Sequence, residues 1–375
     1  MVNKKRNVML ILTDNCNLRC TYCYEGGNCK KTMSFETAKK IIDDNYSVLS
    51  EGDKSRVEFF GGEALICFSL IKEVFDYVEH AYPFLRTQYA FTTNGTLMHG
   101  ELQEWFWERR DRFECTLSLD GTGEMHDRNR KTVSGDGSFG KIDVDFFRKT
   151  WPGCTAKMTI SKATLPDLAE GIKYIESLGF YCKATYASGI EWDVDQNLSI
   201  LERELTKLVD YYSENSVPLC SLLDLDLRAI FCSPDVPFRY CGAGIDRKCY
   251  DMEGRCYPCQ GLASVSVGEE KAKLFENETF CNFCLSEGNP CRTCKWLRIC
   301  RTCFAANYLE TGSIEHNCPT MCMLNRMAIL ASSAAQFKRI MKKTEKTSED
   351  MVVLKAVGTI QREVMQEYGM KKQVV

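Results

Sequence analysis

Three cysteines in one short loop are the residues of this sequence with the clearest capacity for chemistry. Cys16, Cys20 and Cys23 follow a Cys-x3-Cys-x2-Cys spacing. A cubane iron–sulfur cluster has four irons and normally takes four thiolates, so three ligands leave one iron without a protein partner. An open coordination position is where metal chemistry takes place. The alternatives are a zinc knuckle or buried thiols, but structural zinc takes four ligands and this loop supplies three.

Composition limits the possible partners and the compartment. The chain has 375 residues and 44% hydrophobic content, enough for one large core and a smaller module. Its net charge of -3 and isoelectric point near 6.0 do not favour a nucleic-acid partner. The sequence shows neither an N-terminal signal nor a run of membrane-spanning length, which predicts a cytoplasmic protein without a membrane partner. In that compartment, 22 cysteines are more typical of metal ligands and reduced thiols than of disulfides.

Alternating strand and helix patterns surround the cysteine loop. The predicted strands are 8–12, 56–60, 89–93, 115–119, 157–160 and 181–186. Apolar residues at helical spacing follow each strand, and Ser34 is the predicted cap of the first helix. Six strand–helix pairs predict an α/β fold with parallel strands and crossover helices, which is short of the eight pairs in a closed barrel.

Polar residues follow the next strands at the points where the strands end. Gly61, Gly62 and Glu63 come after the second strand, where the glycines allow a close backbone approach and the carboxylate can pair with an ammonium group. Similar positions after the third and fourth strands are taken by Asn94, Ser118 and Asp120. Barrel enzymes have their active sites at the C-terminal ends of the strands, so we expect these residues near the cysteine loop.

This combination of motifs resembles the radical S-adenosylmethionine (radical SAM) enzymes, whose cysteine signature has an aromatic residue, here Tyr22, before the third cysteine. The resemblance implies an open partial (β/α)6 TIM-like barrel and a [4Fe-4S] cluster that binds S-adenosylmethionine. It implies that Gly61, Gly62 and Glu63 bind the methionine amino group, although the usual Gly-Gly-Glu-Pro ends here in Ala64. It also implies contacts to the ribose and the methionine carboxylate from Asn94, Ser118, Asp120 and Arg130.

Twelve of the cysteines lie between Cys241 and Cys322, in a stretch that resembles the SPASM extension of many radical SAM enzymes. That resemblance implies two auxiliary [4Fe-4S] clusters, hence three clusters in all. The implied ligands of the first are Cys241, Cys259 and Cys303, with Cys249, Cys256 or an open iron as the fourth position. The implied ligands of the second are Cys291, Cys294, Cys300 and Cys322, with Cys318 as the rival of the last. A zinc ribbon is the alternative, built from Cys281, Cys284, Cys291 and Cys294.

The predicted division of the chain has three parts. Residues 1–215 form the partial barrel, 216–330 form the auxiliary-cluster module with its bridging region, and 331–375 form a helical tail. Apolar residues at helical spacing in the tail predict a helix that packs on the surface of the module.

The resemblance also implies a reaction. One electron, supplied by a donor such as flavodoxin or ferredoxin, cleaves S-adenosylmethionine to methionine and a 5′-deoxyadenosyl radical. That radical removes hydrogen from an unreactive C–H bond, which is chemistry that a cofactor and not a side chain provides. The auxiliary clusters can take back an electron or bind a substrate thiolate.

The substrate is predicted from the residue after Cys259. Anaerobic sulfatase-maturating enzymes carry Asp at that position as the proposed base, whereas this chain has Gln260, whose amide cannot take a proton at neutral pH. Residues 301–308 are similar to maturases of short, cysteine-containing ribosomal peptides. We therefore expect a thioether (sulfur-to-carbon) crosslink in a precursor peptide. The alternatives are formylglycine-forming oxidation, a carbon–carbon crosslink, and a non-catalytic electron carrier.

Overall fold

The computed structural model describes residues 4–25, 30–232, 241–245, 247–280 and 285–368. These residues form two compact units. Unit 1 takes the described residues of 1–159, 174–181 and 241–282, and unit 2 takes those of 160–173, 182–240 and 283–375. The zinc-ribbon alternative depends on Cys281 and Cys284, which lie outside the described residues. The boundaries predicted at 215 and 330 stay a prediction.

The strands of the described chain build one large sheet and one small one. They are β1 (Lys5–Thr13), β2 (Leu18–Cys20), β3 (Lys54–Gly61), β4 (Gln88–Thr93), β5 (Phe113–Ser118), β6 (Arg130–Thr132), β7 (Thr155–Ile160), β8 (Tyr181–Tyr186), β9 (Arg247–Tyr250) and β10 (Cys256–Tyr257). The large sheet has the order β10-β9-β1-β3-β4-β5-β7-β8, and β2 pairs with β6 in the small one. Strands β1, β3, β4, β5, β7 and β8 match the six strands predicted from sequence, so the predicted α/β fold is confirmed.

Helices connect these strands and dominate the C-terminal part. They are α1 (Phe35–Tyr46), α2 (Phe68–Ala81), α3 (Glu101–Glu108), α4 (Gly123–Asn129), α5 (Val144–Thr150), α6 (Leu168–Ser177), α7 (Val194–Glu214), α8 (Ser264–Val267), α9 (Glu269–Ala272), α10 (Phe304–Thr311), α11 (Pro319–Met341) and α12 (Ser348–Tyr368). The predicted cap is confirmed, because the Thr37 amide donates to Ser34 Oγ at 3.1 Å. No helix within these described ranges combines the length and apolarity needed to cross a membrane.

The register of the large sheet explains its two faces. β1 pairs in parallel with β3, and β3, β4, β5 and β7 continue the parallel pairing in sequence. Along β7, Ala156, Met158 and Ile160 are fully buried, while the alternating residues are half-buried and polar or charged. One face is therefore the apolar core face, and the other is available to polar groups.

Two short strands extend the sheet beyond the six predicted ones. β9 pairs in parallel with β1, placing Cys249 beside Met9, and β10 turns back antiparallel on β9. The first part of the cysteine-rich stretch therefore belongs to unit 1. This addition is absent from the sequence prediction because the partners lie far apart along the chain.

Unit 2 has a hydrophobic core to which the C-terminal helix contributes. Its buried members are Leu225, Leu227, Trp296, Ile299, Ile329, Ala356, Val357 and Ile360. The predicted tail is a helix, α12, and Val357 and Ile360 are buried in this core. The sequence analysis placed the tail on the surface of the module, whereas one face of α12 lies inside the core because its apolar residues recur at helical spacing.

Candidate functional site

The loop after β1 brings the three motif cysteines together. The Cys23 amide donates to the Cys20 carbonyl at 3.1 Å, and the Leu18 amide donates to Cys16 Sγ at 3.4 Å. Burial raises the pKa of the Cys16 thiol to about 12 and that of Cys20 to about 11, and the charge of Cys23 adds to both rises. The three thiols therefore lie close enough for the charge of one to raise the pKa of the others. Such buried thiols become thiolates when a metal cation takes the place of the proton.

The cysteine loop supplies three thiolates as possible metal ligands. In a cubane cluster the thiolates bind different irons, so the cysteines surround the cluster without converging on one point. The loop fits an iron–sulfur cluster, with a donor set of three soft thiolates.

Gly61 and Gly62 have a role that the sequence analysis did not predict. A Cβ on Gly61, whose φ is +135°, would lie 2.3 Å from the Thr13 carbonyl oxygen, and a Cβ on Gly62 would lie 2.4 Å from the Asn15 carbonyl oxygen. The Gly62 amide donates to Thr13 at 3.0 Å. The close approach that requires glycine is therefore made to the backbone of the cysteine loop.

Glu63 is 2% exposed and is held by donors from its surroundings. Its Oε1 accepts from Thr93 Oγ1 at 2.8 Å and from the Leu65 amide at 3.1 Å, and its Oε2 accepts from the Asn94 amide at 2.7 Å. Burial raises the pKa of the carboxyl. A carboxylate offers about four acceptor positions, so these three donors leave room for a further one such as an ammonium group.

The other two strand-end residues differ in how fully they are engaged. Asn94 Nδ2 donates to Asn17 Oδ1 at 2.9 Å, and Asn94 Oδ1 accepts from Thr96 Oγ1 at 2.7 Å. Ser118 is 7% exposed, and within the described part of the chain no hydrogen bond holds its hydroxyl. The Ser118 hydroxyl is therefore available to another partner, whereas the Asn94 side chain is already hydrogen-bonded to Asn17 and Thr96.

Asp120 is fully buried and links several segments. Its Oδ2 accepts from the Tyr22 hydroxyl at 2.5 Å and from Asn129 Nδ2 at 3.3 Å, and its Oδ1 accepts from the Thr159 amide at 2.9 Å. The resemblance implied that Asp120 contacts the cofactor. The structure shows its carboxylate engaged with donors of the protein, one of which is the aromatic residue of the cysteine motif. Thr159 and Asn129 are partners that the sequence motifs did not point to.

Arg130 lies against both Asp120 and the cysteine loop. Its Nη2 donates to Asp120 Oδ1 at 3.2 Å, and its Nε lies 3.1 Å from Oδ2. Its Nη1 donates to Cys20 Sγ at 4.0 Å, and the guanidinium carbon lies 5.5 Å from the centre of the Tyr22 ring. The contact to a methionine carboxylate implied by the resemblance stays a prediction.

The hairpin of β9 and β10 separates two candidate ligands. Cys249 pairs with Tyr257, and Cys256 pairs with Tyr250, so the two cysteines project from opposite faces. Burial raises the pKa of Cys249, and the charge of Cys259 is the next contributor. Cys256 has the Tyr250 side chain as a hydrogen-bond partner. The structure therefore brings Cys249 close to Cys259.

A buried aspartate, Asp251, organises the turn of this hairpin. It is 0% exposed and accepts from the amides of Glu253 and Arg255 at 3.1 and 3.0 Å. Its Oδ2 accepts from Arg255 Nε at 2.8 Å, from the Tyr257 hydroxyl at 3.1 Å and from Ser264 Oγ at 3.2 Å. The sequence analysis missed Asp251, although an Asp three residues before Gly254 is a turn signal.

The remaining cysteines of the first predicted set are placed as follows. Cys241 is exposed in unit 1, and Cys303 is exposed in unit 2 as the residue preceding α10. Cys259, which directly precedes Gln260, has extended backbone with φ -160° and ψ 165°. The buried Oε1 of Gln260 has no hydrogen-bond partner among the described residues.

In unit 2, tight turns bring together the cysteines predicted to bind the second auxiliary cluster. The Cys294 amide donates to the Cys291 carbonyl at 3.2 Å, and the Cys300 amide donates to the Trp296 carbonyl at 2.9 Å. Burial raises the pKa of Cys300 to about 12, and charges on Cys322, Cys294 and Cys291 contribute in that order. The four cysteines Cys291, Cys294, Cys300 and Cys322 are therefore neighbours, as the sequence prediction of a shared site requires.

Comparison with known proteins finds a family match over the first third of the chain. Residues 10–132 match the radical SAM superfamily. The chain is 32% identical over 183 residues to an uncharacterised protein of Methanocaldococcus jannaschii, a match that covers 48% of this chain and 61% of that protein. It is 26% identical over 319 residues to a cysteine-type anaerobic sulfatase-maturating enzyme of Clostridium novyi, covering 77% of this chain and 85% of that enzyme.

A solved structure shares the fold over most of the chain. It is that of native anSMEcpe with bound AdoMet and a Cp18Cys peptide. The TM-score is 0.68 at 18% identity, and the match covers 94% of this chain and 99% of that one.

Proposed function

We propose that this chain, whose residues 10–132 match the radical SAM superfamily, is a peptide maturase that forms a thioether crosslink. The crosslink joins the sulfur of a cysteine to a carbon of another residue in a ribosomally made precursor peptide. Relatives named as sulfatase-maturating enzymes, and a fold shared with a structure that holds a cysteine peptide, support a peptidyl substrate. A flavodoxin or ferredoxin is the proposed electron donor.

The loop cysteines are the proposed ligands of the cluster that binds S-adenosylmethionine. When bound, that cluster and S-adenosylmethionine supply an organic radical that takes a hydrogen atom from the peptide. Cys16, Cys20 and Cys23 hold three of its irons in this proposal. Glu63 retains an acceptor position for the methionine ammonium group, and the Ser118 hydroxyl is available to the cofactor's polar atoms. Gly61 and Gly62 keep the β3 end tight against the loop.

The cysteine-rich stretch holds the proposed auxiliary clusters. Cys249 joins Cys241 and Cys259 as the proposed ligands of the first, because Cys249 lies on the hairpin face that is close to Cys259. Cys291, Cys294, Cys300 and Cys322 are the ligands of the second, supported by their mutual proximity in unit 2. This assignment sets the total at three [4Fe-4S] clusters.

The observation that carries the thioether proposal is the chemistry of the residues around Cys259. Gln260 offers an amide where an oxidation to an aldehyde would need a base, and its Oε1 is buried. The buried carboxylate of this hairpin, Asp251, already accepts hydrogen bonds from five donor groups. Glu253 is tied to Lys31 at 2.9 Å and to Arg255 at 3.2 Å. Thioether formation instead requires a peptide thiolate, which coordination to a metal generates without a protein base.

A second candidate function is formylglycine-forming oxidation of a sulfatase. The observation in its favour is the match to the enzyme of Clostridium novyi, which covers more of this chain than the M. jannaschii match does. The two functions differ in product. A thioether removes a free thiol and two hydrogens from the peptide, whereas formylglycine formation leaves an aldehyde.

The deciding experiment gives the anaerobically reconstituted protein a cysteine-containing precursor peptide, S-adenosylmethionine and a reductant. We expect a peptide that is lighter by two hydrogens per linkage and no longer reacts with a thiol alkylator. Deuterium placed on the acceptor residue should appear in 5′-deoxyadenosine. A matched peptide with the cysteine replaced by serine should remain unlinked. An aldehyde product from a sulfatase peptide, or a product that keeps every thiol, would contradict the thioether proposal.

A further inference from the structure

Strand pairing fixes the position of Arg130 relative to the second motif cysteine. In the ladder of β2 and β6, Cys20 lies directly opposite Arg130, so both side chains project from the same face. The Thr21 amide donates to the Asn129 carbonyl at 2.9 Å and extends the pairing by one bond. The backbone of the cysteine loop is thus held to the segment that carries Arg130.

The guanidinium of Arg130 is buried, and its surroundings restrict its orientation. Arg130 is 7% exposed, and Asp120, its ion-pair partner, is fully buried. Asp120 is itself held by the Thr159 amide and the Tyr22 hydroxyl, so the carboxylate has little freedom to move. With Nη2 directed at Asp120, Nη1 is left 4.0 Å from Cys20 Sγ.

The two charges of this pair act on any metal group that Cys20 binds. Reduction of an iron–sulfur cluster adds a negative charge, and buried charges a few ångströms away are weakly screened. A cation beside a cluster thiolate therefore favours the reduced state, and an anion opposes it. Charge, hydrogen bonds to sulfur and burial are the means by which a protein tunes a cluster potential.

We propose that Arg130 is a positioning residue that raises the reduction potential of the cluster bound by Cys16, Cys20 and Cys23, and that the charge of Asp120, its ion-pair partner, partly offsets this effect. This inference rests on the proposed cluster site but not on the proposed thioether product. It assigns the pair a redox role, which is distinct from binding of S-adenosylmethionine by Arg130.

The test measures the midpoint potential of this cluster in the reconstituted full-length protein. The cluster signal is identified by its loss when Cys16, Cys20 and Cys23 are replaced together by Ala. We compare wild type with Arg130→Gln, Arg130→Lys and Asp120→Asn. The matched control is Lys131→Gln, which removes the same charge from the neighbouring position of β6, where the side chain faces the opposite side.

Arg130→Gln should lower the equilibrium constant for reduction roughly tenfold, which is about 59 mV for one electron. Asp120→Asn should shift the potential in the opposite direction, and Arg130→Lys should restore most of the wild-type value. Lys131→Gln should shift it much less than Arg130→Gln. Shifts of the same sign in Arg130→Gln and Asp120→Asn would indicate a structural role alone and overturn the proposal, as would equal shifts in Arg130→Gln and Lys131→Gln.

If the Arg130→Gln protein does not assemble the cluster, the potentials of the other two variants still test the proposal. The proposal then requires a more positive potential in Asp120→Asn and a near wild-type potential in Arg130→Lys. An unchanged potential in Asp120→Asn would overturn it. The peptide product is measured separately, so a failed redox prediction and a failed thioether prediction are distinguishable.

Discussion

The thiol of Cys318 donates a hydrogen bond to Glu310 Oε2, and its sulfur accepts one from the Met321 amide at 3.3 Å. Cys318 therefore caps α11. Cys322 follows one helical turn later, and its amide donates to the Cys318 carbonyl at 3.0 Å. Burial and then Glu310 raise the pKa of Cys318, whereas the neighbours that act on Cys300 include Cys322. The two rivals for the last ligand position thus occupy different surroundings.

This difference predicts how the iron content responds to substitution. Replacing Cys322 with Ala should lower iron and sulfide by up to about four per chain, because one ligand of a four-iron cluster is removed. Replacing Cys318 with Ala should leave the iron content unchanged and lower stability by about 1 kcal/mol, as expected for loss of a helix cap. Iron and sulfide analysis of the anaerobic proteins checks both. Loss of iron in the Cys318 variant alone would reverse the assignment.

A second prediction concerns the cysteine loop. Replacing Cys16, Cys20 and Cys23 together with Ala should abolish cleavage of S-adenosylmethionine, because the proposed site then has no thiolate to hold the cluster. The absorbance of the auxiliary clusters should remain, since their proposed ligands are untouched. Chromatography of 5′-deoxyadenosine and the visible spectrum test the two halves. The wild-type protein should carry about twelve irons, and cleavage retained by the triple variant would contradict the active-site assignment.

The sequence predicted local features more completely than long-range ones. The six strands, the Ser34 cap and the grouping of Cys16, Cys20 and Cys23 follow from periodicity and spacing within short segments, and the structure contains them. Each depends on residues that are near one another in the chain.

Contacts between distant segments were not predictable in the same way. The pairing of Cys249 with Met9 and the partners of Asp120 depend on which segments meet in space. The glycine at position 61 predicted a close approach by a ligand, which stays a prediction, and the structure adds that a Cβ there would meet the Thr13 carbonyl oxygen. A glycine signals that a backbone approaches closely, but it does not identify what approaches.

A third prediction distinguishes the two cysteines of the β9–β10 hairpin. Cys249 faces the same side as Tyr257, and the charge of Cys259 acts on it more strongly than that of Cys256, whose side chain lies on the other side with Tyr250. Cys249→Ala should therefore lower iron content and crosslinking. Cys256→Ala is the matched control and should retain both. Iron analysis and the mass of the peptide product test both variants. A loss confined to Cys256→Ala would show that Cys256, and not Cys249, is the cluster ligand.

The last prediction concerns α12 and unit 2. Ile360 is 0% exposed and lies in the core that includes Trp296 and Ile299, and Cys294 and Cys300 pack against this same core. Ile360→Ala should cost about 2–5 kcal/mol, because it leaves a cavity in a packed core.

The matched control is Val352→Ala on the same helix. Val352 is 41% exposed, so its truncation should change stability by less than about 0.5 kcal/mol. Anaerobic thermal unfolding followed by circular dichroism should show a lower midpoint for Ile360→Ala alone, together with faster loss of cluster absorbance on warming. Truncation after Lys342 should have the same effect in stronger form, since it removes Ala356, Val357 and Ile360 from the core. Equal midpoints for the Ile360 and Val352 variants would show that α12 contributes little to the core that supports these cysteines.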